Sequence, residues 1–311
     1  MKRAADDLYD GAETEPMDGS AAKLVKLEDR VENEIVTQEY RDRHIPQFSK
    51  AIDFILEQDS TLVPVITKGN FELFKKDELI LDGEPSDDAK LQNAFSKLGG
   101  AIIGQQISNS AARSIRIKFM ALFDEMFPLY KELKKYMTVP ENIKNMRDCG
   151  LSQRKIGYLE SLATYFSDNE SRLIQMYYHN ETENDDAIME DLVAGVKGIG
   201  PWTAKMFLVS GLRRINIFAP EDVGVARGFS RYISDKPDLL KELMKDRDTI
   251  KKSKIKHKKF NWKVYDLDIM ERCADRFAPY KTVFMFILWR LSGTGKLDVT
   301  MDVENQFVNT L

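Results

Sequence analysis

The sequence predicts an all-α protein, and two observations indicate that class. From Ile45 onward apolar residues recur at helical spacing, so that Phe48, Ile52 and Ile55 lie along one face. Segments that alternate β-branched and polar residues, as half-buried strands do, are not evident.

Composition and length are ordinary for a soluble globular chain. Of the 311 residues, 43% are hydrophobic and 31% are charged. The longest apolar run, residues 283–289, is far shorter than the roughly 20 residues that cross a bilayer. We therefore expect a buried helix there and no membrane partner.

Cysteine and histidine are too few to build a metal or disulfide framework. The two cysteines, Cys149 and Cys273, exclude a disulfide scaffold and a four-cysteine iron–sulfur cluster. The three histidines have no second histidine or cysteine nearby at ligand spacing. We expect no cofactor, no metal bound by side chains, and a reducing intracellular compartment.

The acidic residues are concentrated at the N-terminus. The first 39 residues contain five basic and eleven acidic side chains, whereas the whole chain has a net charge of −4. Residues 1–40 are therefore predicted to form a disordered acidic tail. Its short basic clusters either contribute to a nuclear import signal, which predicts a nuclear location, or belong to a solubilising tail with no address. Because the remainder is nearly neutral, any nucleic-acid contact must come from local patches and backbone amides.

Helices are predicted in succession along the rest of the chain. Residues 91–123 contain three glycines, each of which weakens a helix by about 1 kcal/mol, so two helices are expected to meet near Gln105 to Asn109. The other helices of this region are predicted over residues 129–137, 140–148, 154–166, 185–193 and 201–210.

A tight glycine-rich turn joins the last two of these helices in KGIGPWTAK, residues 197–205. Gly198 and Gly200 can present backbone amides outward, and the helix that begins near Pro201 adds its positive N-terminal dipole, so a phosphate fits there. Alternatively, the glycines only close the turn and Ile199 anchors it in the core. The turn lacks the Gly-Lys-Ser/Thr ending of a P-loop, which excludes that nucleotide-binding motif. No strand is predicted before it, which disfavours a Rossmann dinucleotide-binding turn.

An acidic residue begins the next helix. Pro220-Glu221-Asp222 places Asp222 in the first turn, where the helix dipole favours a carboxylate. Taken alone, helix capping is the simpler role for Asp222. Glu221 points elsewhere on a helix and is predicted to be a cap or a solvent-exposed residue.

The run DLVAGVKGIGPWTAKMFLVSGLRRINIFAPEDVGVARGF resembles the signature of the helix-hairpin-helix DNA glycosylase superfamily, and it is most similar to the 3-methyladenine DNA glycosylases of yeast and bacteria. The similarity extends through GGAIIGQQIS, LSQRKIGYLESLA and FAPYKTVFMFILWR, over about residues 50–295. The resemblance implies a two-lobed fold with a cleft between the lobes. The middle lobe comprises residues 94–214 and ends in the hairpin; the terminal lobe comprises residues 41–93 and 215–311 and carries Asp222.

The resemblance implies that Asp222 is the catalytic residue. A fixed carboxylate stabilises the oxocarbenium-like sugar that forms when an N-glycosidic bond breaks. Family members that also cut the strand have a lysine two residues after the second hairpin glycine, where this chain has Trp202, and Lys205 lies three residues further on. The expected activity is hydrolysis without strand cutting, which releases 3-methyladenine or 7-methylguanine from double-stranded DNA and leaves an abasic site. The protein is expected to be a monomer.

The base-binding pocket is implied to include Trp202, Met206 and Trp289, because stacking selects cationic bases that have rotated out of the duplex. The bacterial relative has an aromatic residue at the position of Met206. Taken alone, Trp289 is more simply a core residue, because it lies in a buried apolar helix.

Other DNA contacts are implied at the hairpin and at the junction near residue 105. By the resemblance, Gln105 and Gln106 fill the gap that the extruded base leaves in the duplex. The alternative is that they only form an exposed polar junction between two helices. Residues 151–155 are a second candidate for contact with the DNA backbone. The hairpin residues implied to contact a phosphate are Lys197, Gly198, Gly200 and Thr203.

The lysine-rich segment and the preferred lesion each have more than one interpretation. The lysine-rich segment 251–263 either adds non-specific phosphate contacts, serves nuclear import, or is only a solvated loop. The activity is either that on alkylated purines or mainly on another lesion such as hypoxanthine or ethenoadenine, and a catalytically silent DNA-binding protein is a further alternative.

Overall fold

The regular structure of the chain is helical. The structure, a computed structural model, describes residues 36–69, 71–76, 85–179, 185–255 and 261–293. Within these ranges the strand-like pairing is one isolated bridge between His44 and Lys75. The all-α prediction is confirmed. No helix in these ranges is long and apolar enough to span a bilayer. Residues 1–35 of the predicted acidic tail and residues 256–260 at the centre of the lysine-rich segment lie outside the described residues. The predicted tail boundary at residue 40 is too late, because Val36 and Tyr40 are buried and a helix capped by Thr37 begins at Gln38.

The α-helices of the described residues are numbered here in chain order. They are α1 Gln38–Asp42, α2 Pro46–Gln58, α3 Val63–Thr67, α4 Asp87–Gly104, α5 Asn109–Met120, α6 Tyr130–Tyr136, α7 Pro140–Asp148, α8 Gln153–Ile174, α9 Asp185–Gly195, α10 Pro201–Ser210, α11 Val223–Tyr232, α12 Pro237–Leu243, α13 Leu267–Asp275 and α14 Lys281–Ser292.

The predicted break after α4 is confirmed. α4 ends at Gly104 and α5 begins at Asn109, where the Ser108 hydroxyl caps the first turn. Gly99 within α4 has a packing reason, because a Cβ there would lie 2.4 Å from the ring of Phe127. Close packing and a break therefore both explain the glycines of this stretch.

The predicted helices after the break are present, and the largest change in their bounds is at the end of α8. α7 and α10 have the predicted bounds, each with a proline in its first turn. α8 continues well beyond the predicted end at Phe166 because Leu173 and the π-helical turn that follows supply further buried residues. A local irregularity at Asn169 bends the helix within this extension.

α11 and α14 form the most extensive helix pair of the described residues. Their close approach requires Gly228, since a Cβ there would lie 1.8 Å from the carbonyl oxygen of Leu288. α14 is buried along almost its whole length, as predicted for residues 283–289. Buried side chains from Val36 to Trp289 belong to one hydrophobic cluster, and the division into two lobes stays a prediction.

Candidate active site

Asp222 lies at the start of α11 and caps it. Its backbone is extended, with φ −71° and ψ 132°, and its Oδ1 accepts the N–H of Val225 at 2.9 Å. Its own N–H donates to the carbonyl of Ala219 at 3.1 Å, which closes the turn before the helix. The capping role is therefore real, and it fixes one side of the carboxylate.

Two tryptophans also donate hydrogen bonds to this carboxylate. The indole Nε1–H of Trp202, on α10, donates to Oδ2 at 3.0 Å. The indole Nε1–H of Trp289, on α14, donates to Oδ1 at 2.9 Å. An indole N–H can only donate, so a carboxylate matches both. Asp222 is thus fixed in orientation by groups from three helices, and three predicted site residues come together.

The three predicted pocket residues differ in exposure. Trp202 is 37% exposed, whereas Met206 and Trp289 are each 2% exposed. Of the three side chains, that of Trp202 is therefore the one with substantial surface open to solvent. Met206 lies on the buried side of α10 within the core. The base-stacking roles of all three stay predictions.

A buried threonine anchors the loop that leads to Asp222. The Oγ1 of Thr282 donates to the carbonyl of Arg214 at 2.9 Å and accepts the N–H of Ile217 at 2.8 Å. The Thr282 N–H donates to the carbonyl of Ile215 at 3.0 Å. The start of α14 thus fixes the loop that leads to Asp222. Nothing in the sequence spacing singles out Thr282.

An ion pair links α10 to the same loop. Lys205 Nζ lies 3.0 Å from the carboxylate of Glu221, and both side chains are half-buried. The sequence-based prediction for Glu221, a cap or an exposed residue, misses this pair. Its consequence is that the Lys205 ammonium is engaged by the neighbour of Asp222.

The hairpin turn keeps two amides available. Gly198 has φ +85°, and a Cβ there would lie 2.3 Å from the ring of Tyr158. Within the described chain, the N–H groups of Gly198 and Gly200 have no hydrogen-bond acceptor, whereas that of Lys197 donates to Ser161 Oγ at 3.0 Å. The turn therefore combines free amides with the positive end of α10, a geometry that suits an anion.

The other predicted hairpin residues are placed differently. The Lys197 side chain is exposed. Thr203 is only 7% exposed, so its side chain is largely withdrawn from solvent. Ile199 is 5% exposed and anchors the turn in the core, as the alternative interpretation of this turn predicted.

The predicted duplex plug lies beside the hairpin. Gln105 Nε2 donates to the carbonyl of Gly198 at 2.9 Å. Gln106 is exposed, has φ +60°, and its Oε1 accepts from the guanidinium of Arg154 at 3.2 Å. The structure therefore bonds Gln105 to the hairpin and Gln106 to α8, and Gln106 is the more exposed of the two. Their role as a plug stays a prediction.

Lys155, in the second candidate DNA-contact segment, lies in the first turn of α8, and the protein binds its ammonium. Its Nζ donates to the carbonyl of Ile103 at 2.7 Å, near the end of α4. Burial is the main cause that lowers the pKa of this ammonium, with the nearby Arg154 charge acting in the same direction.

Among the described residues, no group of three His, Cys, Asp or Glu could bind a metal ion.

Gly198→Ala is expected to lower the free energy of unfolding by about 2 kcal/mol, because left-handed backbone strain adds to the clash with Tyr158. Gly200→Ser is the matched control. Gly200 has φ −105° at the N-cap of α10, and a Cβ there meets nothing within 4 Å. Urea unfolding of both variants checks the prediction, and equal stability of the two would contradict it.

Comparison of the sequence with known proteins matches the chain to one family. The family model described as HhH-GPD superfamily base excision DNA repair protein matches residues 100–252. A DNA-3-methyladenine glycosylase of Saccharomyces cerevisiae is 46% identical over 273 residues, which cover 88% of this chain and 89% of that protein. DNA-3-methyladenine glycosylase 1 of Schizosaccharomyces pombe is 26% identical over 245 residues, covering 76% of this chain and 92% of that protein.

Two solved structures share the fold. A DNA-3-methyladenine glycosidase from Bacillus halodurans has a TM-score of 0.54 at 24% identity, over 81% of this chain and 93% of that one. The S. pombe 3-methyladenine DNA glycosylase in complex with abasic DNA has a TM-score of 0.52 at 23% identity, over 79% and 98%. Together with the S. cerevisiae relative, which aligns over most of both chains, these matches establish that the chain belongs to the HhH-GPD superfamily of base excision DNA repair proteins.

Proposed function

We propose that this protein is a monofunctional DNA glycosylase of base excision repair that hydrolyses the N-glycosidic bond of alkylated purines such as 3-methyladenine and 7-methylguanine. The observation that carries the proposal is the Asp222 carboxylate, fixed by two indole N–H groups and its own helix, at the start of the helix that follows the hairpin. The S. cerevisiae relative, 46% identical over most of both chains, is named a DNA-3-methyladenine glycosylase.

The proposed chemistry uses the fixed charge of Asp222. Departure of the base leaves positive charge on the sugar, and an oriented carboxylate stabilises that charge more in the transition state than in the ground state. An alkylated base that already carries a positive charge leaves with the bonding electron pair as a neutral molecule, so little protein general acid is required. Water then adds to the cationic sugar carbon and loses a proton to the solvent, which gives the abasic product. The nearest neighbours of the carboxylate agree, since they are indole and backbone N–H groups.

The proposed DNA-binding parts surround this carboxylate. Trp202 is the half-exposed ring on which an extruded base stacks, with Met206 and Trp289 behind it in the pocket wall. Gln106, with Gln105, fills the gap in the duplex. The free hairpin amides bind a phosphate, which explains how a chain of net charge −4 binds DNA.

The wider arrangement is proposed with the activity. The cleft lies between a middle lobe, residues 94–214, and a terminal lobe formed by residues 41–93 and 215–311. The protein acts as a monomer on double-stranded DNA in the nucleus. Gel filtration with light scattering, and imaging of the tagged full chain, test the last two points.

Release of bases from defined duplexes tests the function. We expect the wild-type protein to release 3-methyladenine and 7-methylguanine from methylated DNA, detected by chromatography of the free base. Parallel duplexes with hypoxanthine and ethenoadenine decide whether another purine lesion is preferred. A protein that binds DNA and releases none of these bases would be a silent DNA-binding member of the family.

Strand cutting is expected to be absent. Trp202 occupies the position at which lyases have their lysine, and Lys205 is engaged by Glu221 at 3.0 Å. Borohydride added during turnover is expected to trap no covalent protein–DNA adduct, and the abasic product stays uncut until alkali is added. A trapped adduct that disappears in Lys205→Ala would contradict the monofunctional mechanism.

A further inference from the structure

Gly224, the second residue of α11, lies beside the Asp222 carboxylate. Its φ is outside the left-handed region that favours glycine, so the backbone does not require glycine here. Glycine within a helix is less favourable than alanine by about 1 kcal/mol. The constraint that favours glycine at this position therefore lies in the space around it.

That space is occupied by both partners of one hydrogen bond. A Cβ on Gly224 would lie 2.9 Å from Trp289 Cδ1, 3.2 Å from Trp289 Nε1 and 3.1 Å from Asp222 Oδ1. Trp289 Nε1 and Asp222 Oδ1 are the atoms that form the 2.9 Å hydrogen bond. A methyl group at this position would therefore press on the donor and the acceptor together.

Neither partner has room to withdraw without loss. The Trp289 indole is 2% exposed and packs edge-on against Phe286, with ring centroids 4.9 Å apart. The carboxylate is tied to the N–H of Val225 and to the indole of Trp202. Relief of the clash must lengthen the Trp289 hydrogen bond or rotate the carboxylate.

We propose that Gly224 is a positioning residue of the active site: its missing side chain lets the Trp289 indole donate to Asp222 and set the plane of the catalytic carboxylate. The inference rests on the proposed glycosylase activity, in which Asp222 faces the developing sugar cation. It assigns to the N–H of Trp289 a role separate from the stacking of a base.

The first test is the single-turnover rate of base release from a 7-methylguanine duplex. Gly224→Ala is expected to lower this rate by about 100-fold, the effect of a displacement near 1 Å at a reacting centre. The affinity for DNA with a tetrahydrofuran abasic site is expected to change by less than threefold, a bound of about 0.65 kcal/mol. Gly157→Ala is the matched control, because a Cβ at Gly157 in α8 meets nothing within 4 Å, and it keeps the wild-type rate.

The second test reads the hydrogen bond without any activity. The chain has three tryptophans, so an ¹H–¹⁵N spectrum contains three indole N–H peaks, which single Trp→Phe variants assign. In Gly224→Ala the Trp289 peak is expected to move upfield as its hydrogen bond weakens, while the Trp262 peak stays in place. An unmoved Trp289 peak overturns the inference about Gly224, whether or not the wild-type protein releases a base. A wild-type protein that releases no base would instead refute the proposed function.

The third test asks whether Gly224 acts through Trp289. Trp289→Phe removes the indole N–H and leaves a smaller aromatic ring, and it is expected to lower the rate of base release. In that background Gly224→Ala is expected to cost less than threefold, because the bond it breaks is already lost. The same 100-fold loss in both backgrounds, or wild-type rates in either Gly224→Ala or Trp289→Phe, overturns the inference. Trp289→Phe keeps the test decisive if Gly224→Ala does not fold.

Discussion

Replacement of Asp222 by asparagine is expected to reduce the rate of base release by roughly 10³-fold while DNA binding is retained. The substitution removes the negative charge that stabilises the developing sugar cation and keeps the shape of the side chain. Asparagine is also a good N-cap, so its oxygen can still accept the N–H of Val225 and the start of α11 is preserved. Single-turnover excision and binding to abasic-site DNA measure the two effects separately.

The two indoles make this substitution more informative than a simple loss of charge. Asparagine has one acceptor oxygen, whereas Asp222 accepts from Trp202 through Oδ2 and from Trp289 through Oδ1. One indole N–H must then face an amide NH₂, which costs about 1–3 kcal/mol of stability. Asp222→Ser keeps a capping oxygen and avoids the facing NH₂ group, so it controls for this effect.

The outcomes distinguish catalysis from capping. Both Asp222→Asn and Asp222→Ser are expected to release the base roughly 10³-fold more slowly than the wild-type protein and to bind DNA. A wild-type rate in either variant would refute a catalytic role for the carboxylate. A parallel loss of binding and excision would instead assign Asp222 to the structure of the site.

The local parts of this fold follow from the sequence. The sequence predicts α10 at its observed bounds, and its start is marked by two adjacent residues, Gly200 as the N-cap and Pro201 as the first helical residue. The break after α4 follows equally from the density of glycine between Gly99 and Gly104. Such signals depend on backbone preferences of adjacent residues, which a sequence displays directly.

The parts of the site that join distant segments could not be predicted in this way. The ion pair of Lys205 with Glu221, the anchoring hydroxyl of Thr282 and the space at Gly224 all depend on how helices cross. The family resemblance supplied Asp222, Trp202 and Trp289 as members of one site. It did not supply the two indole hydrogen bonds, because those depend on side-chain orientation.

Gly228→Ala is expected to be the most destabilising single-methyl change at the site. The added Cβ would lie 1.8 Å from the Leu288 carbonyl oxygen, and because that oxygen belongs to the backbone of α14, the two helices must separate. Overpacking of this kind costs about 3 kcal/mol. At about 3 °C per kcal/mol for a domain of this size, the melting temperature is expected to fall by about 10 °C.

The separation of α11 from α14 should also reach the chemistry. Gly224 and Gly228 are four residues apart and lie on the same face of α11, toward Trp289 and Leu288 respectively. Gly228→Ala therefore moves the indole of Trp289 away from Asp222 through the helix backbone. Excision measured well below the lowered melting temperature is expected to be slow, with the same upfield shift of the Trp289 indole peak.

Gly157→Ala separates this effect from a general response to alanine in helices. A Cβ at Gly157 meets nothing within 4 Å, so the change is expected to raise the free energy of unfolding by about 0.5–1 kcal/mol. Thermal and urea unfolding, followed by circular dichroism, compare the two variants. Equal stability of Gly228→Ala and Gly157→Ala would contradict the close approach of α11 and α14 at Gly228. The position of Trp289 beside Asp222 would then not depend on that approach.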